Sequence, residues 1–302
     1  MAPANPDLPL FGLLNIHKPS GPTSHDVVNA VRRGTGERRV GHSGTLDPLA
    51  EGVLVLALGK ATRLLEYLAG SDKRYRAEVR LGITTDTYDI QGEVVAEHPA
   101  PGDLRPDTVR DVLQSQFSGD ILQRPPVYSA LKVGGKAAYA RARAGEEVAL
   151  QSRPVTIHAV DLLRLDSPDL TLDVHCGPGT YVRSLAHDLG QALGPGATLT
   201  GLTRLASGDF RLEEAVSLDA LQAAFEGGTW PQHLLPADLA LARTPQVRLD
   251  EIGYEHLRNG RPIPAQAVNA GLARAYAPDG RFVAVLVGDT EGGAWRPKKV
   301  FV

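Results

Sequence analysis

The chain has 302 residues, 42% hydrophobic and 22% charged, with a formal net charge of −3, enough apolar material for one large domain or an average domain with an appendage. A single cysteine, Cys176, excludes a disulfide framework and multi-cysteine zinc sites. No apolar run approaches the roughly 20 residues that cross a bilayer, and the opening MAPANPDLPL does not read as a signal peptide, so the expectation is a cytoplasmic protein with no membrane partner.

Residues 10–16 are apolar enough for a first strand. A helix follows: Thr23 stands three residues before Asp26 in capping-box spacing, and Val27, Val28 and Val31 give it an apolar face. Arg32, Arg33 and Gly34 are expected to end it. The stretch 39–52 is rich in Gly and Pro and reads as a loop, leading into 53–58, VLVLAL, a strand buried on both faces. Residues 74–81 alternate cleanly, with Tyr75, Ala77, Val79 and Leu81 on one face and Arg74, Arg76, Glu78 and Arg80 on the other.

Charge is then unevenly spread. Residues 97–120 are acidic, whereas 121–144 carry Arg124, Lys132, Lys136, Arg141 and Arg143 with no acid. The net charge argues weakly against a nucleic-acid partner, but such a block serves equally as a solvated face or an RNA-contacting one. Two strands are expected within 155–176, then a turn at Gly177-Pro178-Gly179. A helix starts near Thr180 and aligns Val182, Leu185, Ala186, Leu189 and Leu193. Gly227, Gly228, Pro231, Pro236 and Pro245 break the pattern over 227–245. Beyond lie a short helix near 249–257 and a hairpin at Asp279-Gly280, so 246–302 reads as a small strand-rich second domain.

Cofactor and hydrolase signatures fail on inspection. Gly59-Lys60 lacks both the spacing and the Ser or Thr of a phosphate loop, and Gly177-Pro178-Gly179 lacks the third glycine of a dinucleotide turn. None of the nine histidines stands at tight ligand spacing, and His175 beside Cys176 reads as strand packing rather than a metal pair. What remains is the loop Arg39-Val40-Gly41-His42-Ser43-Gly44-Thr45-Leu46-Asp47-Pro48-Leu49-Ala50-Glu51-Gly52, anchored to a buried strand, where catalytic groups are commonly presented. Pro48 holds the Asp47 backbone extended, although an isolated Asp-Pro is also read as a turn with a solvated carboxylate.

The chain resembles the bacterial tRNA pseudouridine synthase B (TruB) family through six ordered blocks: GLLNIHKPSGPTS from Gly12, the 41–52 loop, Lys73-Arg74-Tyr75 with LGITTDT from Leu81, QRPPVYSALK from Gln123, GTYVRSLAHDLG from Gly179, and Leu202-Thr203-Arg204-Leu205. The resemblance implies an α/β (α+β) fold. A mixed, largely antiparallel sheet would form the catalytic domain over 1–235, and a small PUA-like β-barrel would bind RNA over 246–302. It implies conversion of uridine to pseudouridine at position 55 in the T-loop of tRNA, without cofactor or metal, by a monomer with no obligate protein partner. Asp47 takes the catalytic position in this resemblance, with Tyr75 contacting the base and Arg183 pairing with the carboxylate. Tyr181 lines the pocket, His42 lies near the extruded nucleotides, Leu205 sits under the base, and Lys18 supports the loop. Ser43 and Thr45 stand where the family varies.

These residue types suit the chemistry. Isomerisation breaks the C1′–N1 bond, turns the base and rejoins it through C5, so no electrons leave and no group is donated. A carboxylate can attack the sugar or the base, or remove a sugar proton to give a glycal. Each route needs Asp47 ionised, which Arg183 favours. The base must be flipped out at a cost on the order of a few kcal/mol, with the T-arm recognised by shape and phosphate contacts. Arg124, Lys132 and Arg141 are candidates for those contacts, as is Trp295-Arg296-Pro297-Lys298-Lys299. A guide-RNA-dependent rRNA synthase of the same superfamily, and a non-catalytic RNA-folding protein, are the alternatives.

Overall fold

The computed structural model describes residues 10–129, 131–133, 136–138, 141, 146, 150–264, 268 and 270–302. Its centre is a mixed, largely antiparallel sheet. Its principal strands are β1 (Phe11–Lys18), β2 (Val40–His42), β3 (Glu51–Gly59), β4 (Lys73–Leu81), β5 (Gly119–Gln123), β6 (Arg153–Asp166), β7 (Asp169–Cys176) and β8 (Ala197–Ser207). From β1 the order is β1-β3-β8-β4-β7-β6-β5, with β2 paired to β3. Every neighbouring pair in that run is antiparallel except β3 with β8, which run parallel through only Thr203↔Glu51 and Arg204↔Gly52.

Strand β3 is apolar from Val53 to Leu58 because both of its faces are covered there. Leu54, Leu56 and Leu58 pack on the helical side, while Val53, Val55 and Ala57 pack into a second cluster behind the sheet. Helices α1 (Ser24–Thr35), α3 (Pro106–Gln116), α4 (Val182–Leu193) and α5 (Leu218–Glu226) all place residues in the first cluster; α2 (Leu65–Ala69) adds Leu68 to the second. The capping box at α1 forms as its spacing predicts: Asp26 N–H donates to Thr23 Oγ1 at 3.1 Å and Thr23 N–H to Asp26 Oδ2 at 2.9 Å. The C-terminus differs from expectation. Gly36, not Gly34, takes the left-handed cap, with φ 72°. Gly34 lies inside the helix, where a Cβ would stand 2.2 Å from the Phe225 ring, so its role is close packing against α5.

The C-terminal part carries α6 (Glu251–Arg258) and a five-stranded PUA-like sheet of β9 (Gln246–Arg248), β10 (Ile263–Pro264), β11 (Leu272–Tyr276), β12 (Phe282–Asp289) and β13 (Ala294–Val300), ordered β9-β11-β12-β13-β10. It does not hang free. Phe11 stacks on Phe282 with ring centroids 6.0 Å apart and meets Phe301 at 4.8 Å, and Val285 joins the cluster behind β3. This narrows the reading of 295–299 as an RNA-facing patch, since Trp295 and Lys299 are engaged within the protein while Arg296 and Lys298 are exposed. Strand alternation turns Trp295 inward, 5% exposed, into the core of the small sheet. Lys299 bonds Glu66 and the Arg63 carbonyl, and Arg296 pairs with Asp289 at 2.7 Å. Within the cluster, Lys299 is the residue that ties the small sheet to the rest of the chain, whereas Arg296 pairs inside the small sheet.

Candidate active site

The loop after β2 is tied down from three sides. Ser24, buried at the start of α1, accepts from Leu46 N–H at 2.8 Å and donates its hydroxyl to Leu46 C=O at 3.0 Å. Gly21 N–H donates to Pro48 C=O at 2.8 Å. The guanidinium of Arg204, 2% exposed, donates to the carbonyls of Val53 at 2.6 Å and Gly44 at 3.1 Å. These bonds answer backbone groups that a buried loop would otherwise leave unpaired, and together they fix the residue between Leu46 and Pro48, which is Asp47.

Asp47 opens onto a cavity of about 290 Å³ lined by Tyr75, Tyr181, Arg183, Leu202, Arg204, Lys73 and the turn Gly177–Thr180, among others. Arg183 Nε lies 2.9 Å from Asp47 Oδ2. The same guanidinium reaches Asp89 Oδ2 at 3.3 Å, Thr87 C=O at 3.0 Å and Tyr128 C=O at 2.9 Å. Arg183 is itself buried, so it stands rigidly between two carboxylates rather than waving over the pocket. About Asp47 the net electrostatics differ from the sequence expectation. Although 37% of its side-chain surface is accessible through the pocket mouth, the enclosing protein raises its pKa from the usual 3.8 by desolvation, which outweighs the pull of Arg183. Asp89 pushes in the same upward direction and Lys18 opposes it.

Lys18 is fully buried at the end of β1, its ammonium bonded to the carbonyls of Pro19 at 2.8 Å and Pro22 at 2.7 Å. Burial draws its pKa down to about 8, against the attraction of Asp47. Tyr75 is 9% exposed, its phenol pushed upward by burial and pulled down by Arg204. Tyr181 precedes α4 and is held at its backbone by Gln123, whose amide accepts from Tyr181 N–H at 2.8 Å and donates to its C=O at 3.0 Å.

Asp47, Arg183, Tyr75 and Tyr181 therefore meet at one cavity, with Lys18 close enough for its charge to act on Asp47. Two other expected residues do not line it. His42 sits half-buried on β2 beside the loop, with its pKa lowered by burial. Leu205 is a correction: β8 sends Leu202 and Arg204 to the pocket and Leu205 to a groove on the opposite face, because successive strand side chains alternate. Leu202, with Leu46, Ala69 and Val182, supplies apolar lining to the pocket. Arg124 is exposed; Arg141 is paired with Glu146 at 2.5 Å; the side chain of Lys132 lies outside the described residues. Sequence reading missed Ser24, Gln123, Arg204 and Asp89. The first three lie inside the quoted blocks, whereas Asp89 lies two residues past its block and is identified by its contact with Arg183.

The comparisons agree with one another. Residues 32–182 match the TruB family pseudouridylate synthase N-terminal domain, 183–242 the tRNA pseudouridylate synthase B C-terminal domain, and 245–302 the tRNA pseudouridine synthase II C-terminal region. The chain is 44% identical over 292 residues to tRNA pseudouridine synthase B of Dehalococcoides mccartyi strain BAV1, covering 96% of each. It is 44% identical over 289 residues to the protein of that name from Thiobacillus denitrificans, covering 96% of this chain and 95% of the relative. Among solved structures it is similar to a Cbf5-Nop10-Gar1 complex, with TM-score 0.74 and 27% identity over 97% of this chain and 85% of that one.

Proposed function

Because the chain belongs to the TruB family of pseudouridylate synthases, we propose that it isomerises the uridine at position 55 of the tRNA T-loop, with Asp47 acting on the flipped nucleotide. The observation that carries this reading is the Asp47–Arg183 pair at 2.9 Å, opening onto a cavity walled by Tyr75, Tyr181 and Leu202. Ionised Asp47 supplies the carboxylate that the reaction needs, and Arg183 orients it. Tyr75 and Leu202 hold the detached base while it turns, and Tyr181 closes the wall. Among the described residues the cavity presents one carboxylate and no histidine or cysteine, a set that suits isomerisation assisted by acid–base or covalent carboxylate chemistry.

In this reading residues 1–235 are the catalytic unit and 246–302 an RNA-binding unit, and the enzyme works in the cytoplasm as a monomer without an obligate protein partner. Arg124, Lys132 and Arg141 contact the T-arm backbone, and His42 approaches the nucleotides displaced with the base. The test is to incubate the protein with unmodified tRNA transcript and map pseudouridine. Wild type is expected to modify one T-loop uridine, and Asp47→Asn to bind the transcript with nearly unchanged affinity and leave it unmodified. Turnover by Asp47→Asn within tenfold of wild type would end the assignment. A requirement for an added guide RNA would move the protein to the rRNA-modifying branch instead.

A further inference from the structure

On the outward face of the main sheet, away from the Asp47 carboxylate, three side chains from separate segments converge. Asp72 immediately precedes β4, His158 lies on β6 and His175 on β7, and all three are exposed. His158 Nε2 stands 3.1 Å from Asp72 Oδ1, the two imidazole rings have centroids 4.8 Å apart, and one ligand atom from each residue lies within 4.8 Å of the others. Sequence alone hides the group, because the members are 86 and 17 positions apart, counting from 72 to 158 and from 158 to 175.

The convergence is produced by a β-bulge. Ile157 pairs with Cys176 and Ala159 with His175, which leaves His158 as the extra residue on its strand. Both His158 and Ala159 are exposed as a result, a departure from alternation that turns His158 toward His175 and Asp72. Bulges of this kind re-aim side chains next to functional sites. The backbone beneath is fixed: Asp72 C=O accepts from Gly208 N–H at 2.9 Å, and His175 sits in register with Arg74 on a central strand. Arg74 itself is engaged with Asp173 at 2.7 Å.

We propose that Asp72, His158 and His175 bind a divalent transition-metal ion, with zinc the best match. Two imidazoles and a carboxylate are a donor set for zinc, which takes such ligands at about 2.0–2.2 Å in a tetrahedron. Tetrahedral ligands at that distance lie roughly 3.3–3.6 Å apart, so one pair is already close and the widest must draw in by about 1 Å, within reach of side-chain rotation for exposed histidines. The remaining position falls to water. The ion takes no part in isomerisation; it fastens strand ends behind the pocket, since Lys73 next to Asp72 and Gly177 two residues after His175 both line the catalytic cavity.

The test uses the full chain, freed of metal by chelator dialysis and returned to chelator-free buffer. Zinc is titrated in competition with a chromophoric chelator, and cobalt(II) is followed by its visible absorption, which is intense for four-coordinate sites. One equivalent per chain is expected. His175→Ala and His158→Ala should each weaken binding at least tenfold, whereas His98→Ala, an exposed histidine on the chain segment after the 94–97 strand, should leave it unchanged. Zinc should raise the thermal midpoint of wild type and not of the double variant His158→Ala/His175→Ala. Near-ultraviolet circular dichroism of each variant checks that the fold persists. Equal zinc affinity in wild type and the double variant, or no bound equivalent in wild type, overturns the proposal.

Discussion

Replacing Ser24 by Ala removes one oxygen atom from the molecule and, on the reasoning above, most of its activity. Ser24 does not itself line the cavity; its hydroxyl accepts from the N–H of the lining residue Leu46 at 2.8 Å and donates to Leu46 C=O at 3.0 Å. Both residues are buried, at 2% and 3% exposure, so neither orphaned group regains a full water partner without moving. Leaving a buried donor or acceptor unpaired costs roughly 1–3 kcal/mol, and ~2 kcal/mol is a fair figure for this pair. The other ties, from Gly21 and Arg204, remain, so the cost is met by local shift of the loop rather than by unfolding. Expressed entirely as lost occupancy of the conformer that aims Asp47, ~2 kcal/mol is about a 30-fold slower chemical step. The assay is single turnover with enzyme in excess over transcript labelled with tritium at uridine C5, since rejoining through C5 releases that hydrogen. The dissociation constant for tRNA should change less than about threefold, because the loss lies in positioning. A folded Ser24→Ala protein with a rate within threefold of wild type would refute the idea that this hydroxyl positions the catalytic loop.

Three further outcomes are expected. The single-turnover rate should fall on acidification with an apparent pKa above the ordinary aspartate value of 3.8, since burial raises that of Asp47 and the carboxylate is the active form; Asp89→Asn removes a negative charge that contributes to the rise, so it should move this acid limb to lower pH. Phe301→Ala, which strips a ring packed against Phe11 and Phe282, should cost about 3 kcal/mol, read as a lower urea midpoint. Exhaustive chelator treatment should leave turnover of a short T-arm stem-loop within twofold of the untreated value, because among the described residues the cavity presents a single carboxylate and no other metal-binding side chain; lost activity restored by a divalent ion would contradict it.

Local signals were legible where one period or one cap dominates. Thr23 and Asp26 announce α1 because both halves of the cap lie within four residues, and the alternation of β4 shows in sequence because one face is buried and the other is wet. The catalytic loop could be located because Gly, Pro and acidic residues precede a strand too apolar to be anything but buried. Contacts made across the fold were less legible. Asp89 follows Tyr88, which adopts φ 65° in a region of irregular backbone, and only folding brings it to Arg183. The expected apolar residue is Leu205, yet Leu202 faces the cavity, and parity within a strand cannot be set without knowing which face the pocket occupies. The basic residues at 296–299 look like a surface patch in one dimension, yet Lys299 is spent on Glu66.

The join between β3 and β8 has a consequence for how the enzyme can fail. Two residue pairs are all that ladder the N-terminal strands to the rest of the sheet there. Gly52 lets the chains approach so closely that a Cβ would fall 2.3 Å from the Arg204 carbonyl oxygen. The Arg204 side chain then crosses the gap to Val53 and Gly44, acting as a rivet through a short seam. Lysine would keep its charge but not its fork. Damage at this point parts the two plates that carry Asp47 and Tyr75, so a lesson for engineering is that the seam, and not only the pocket, sets which substitutions the catalytic machinery survives.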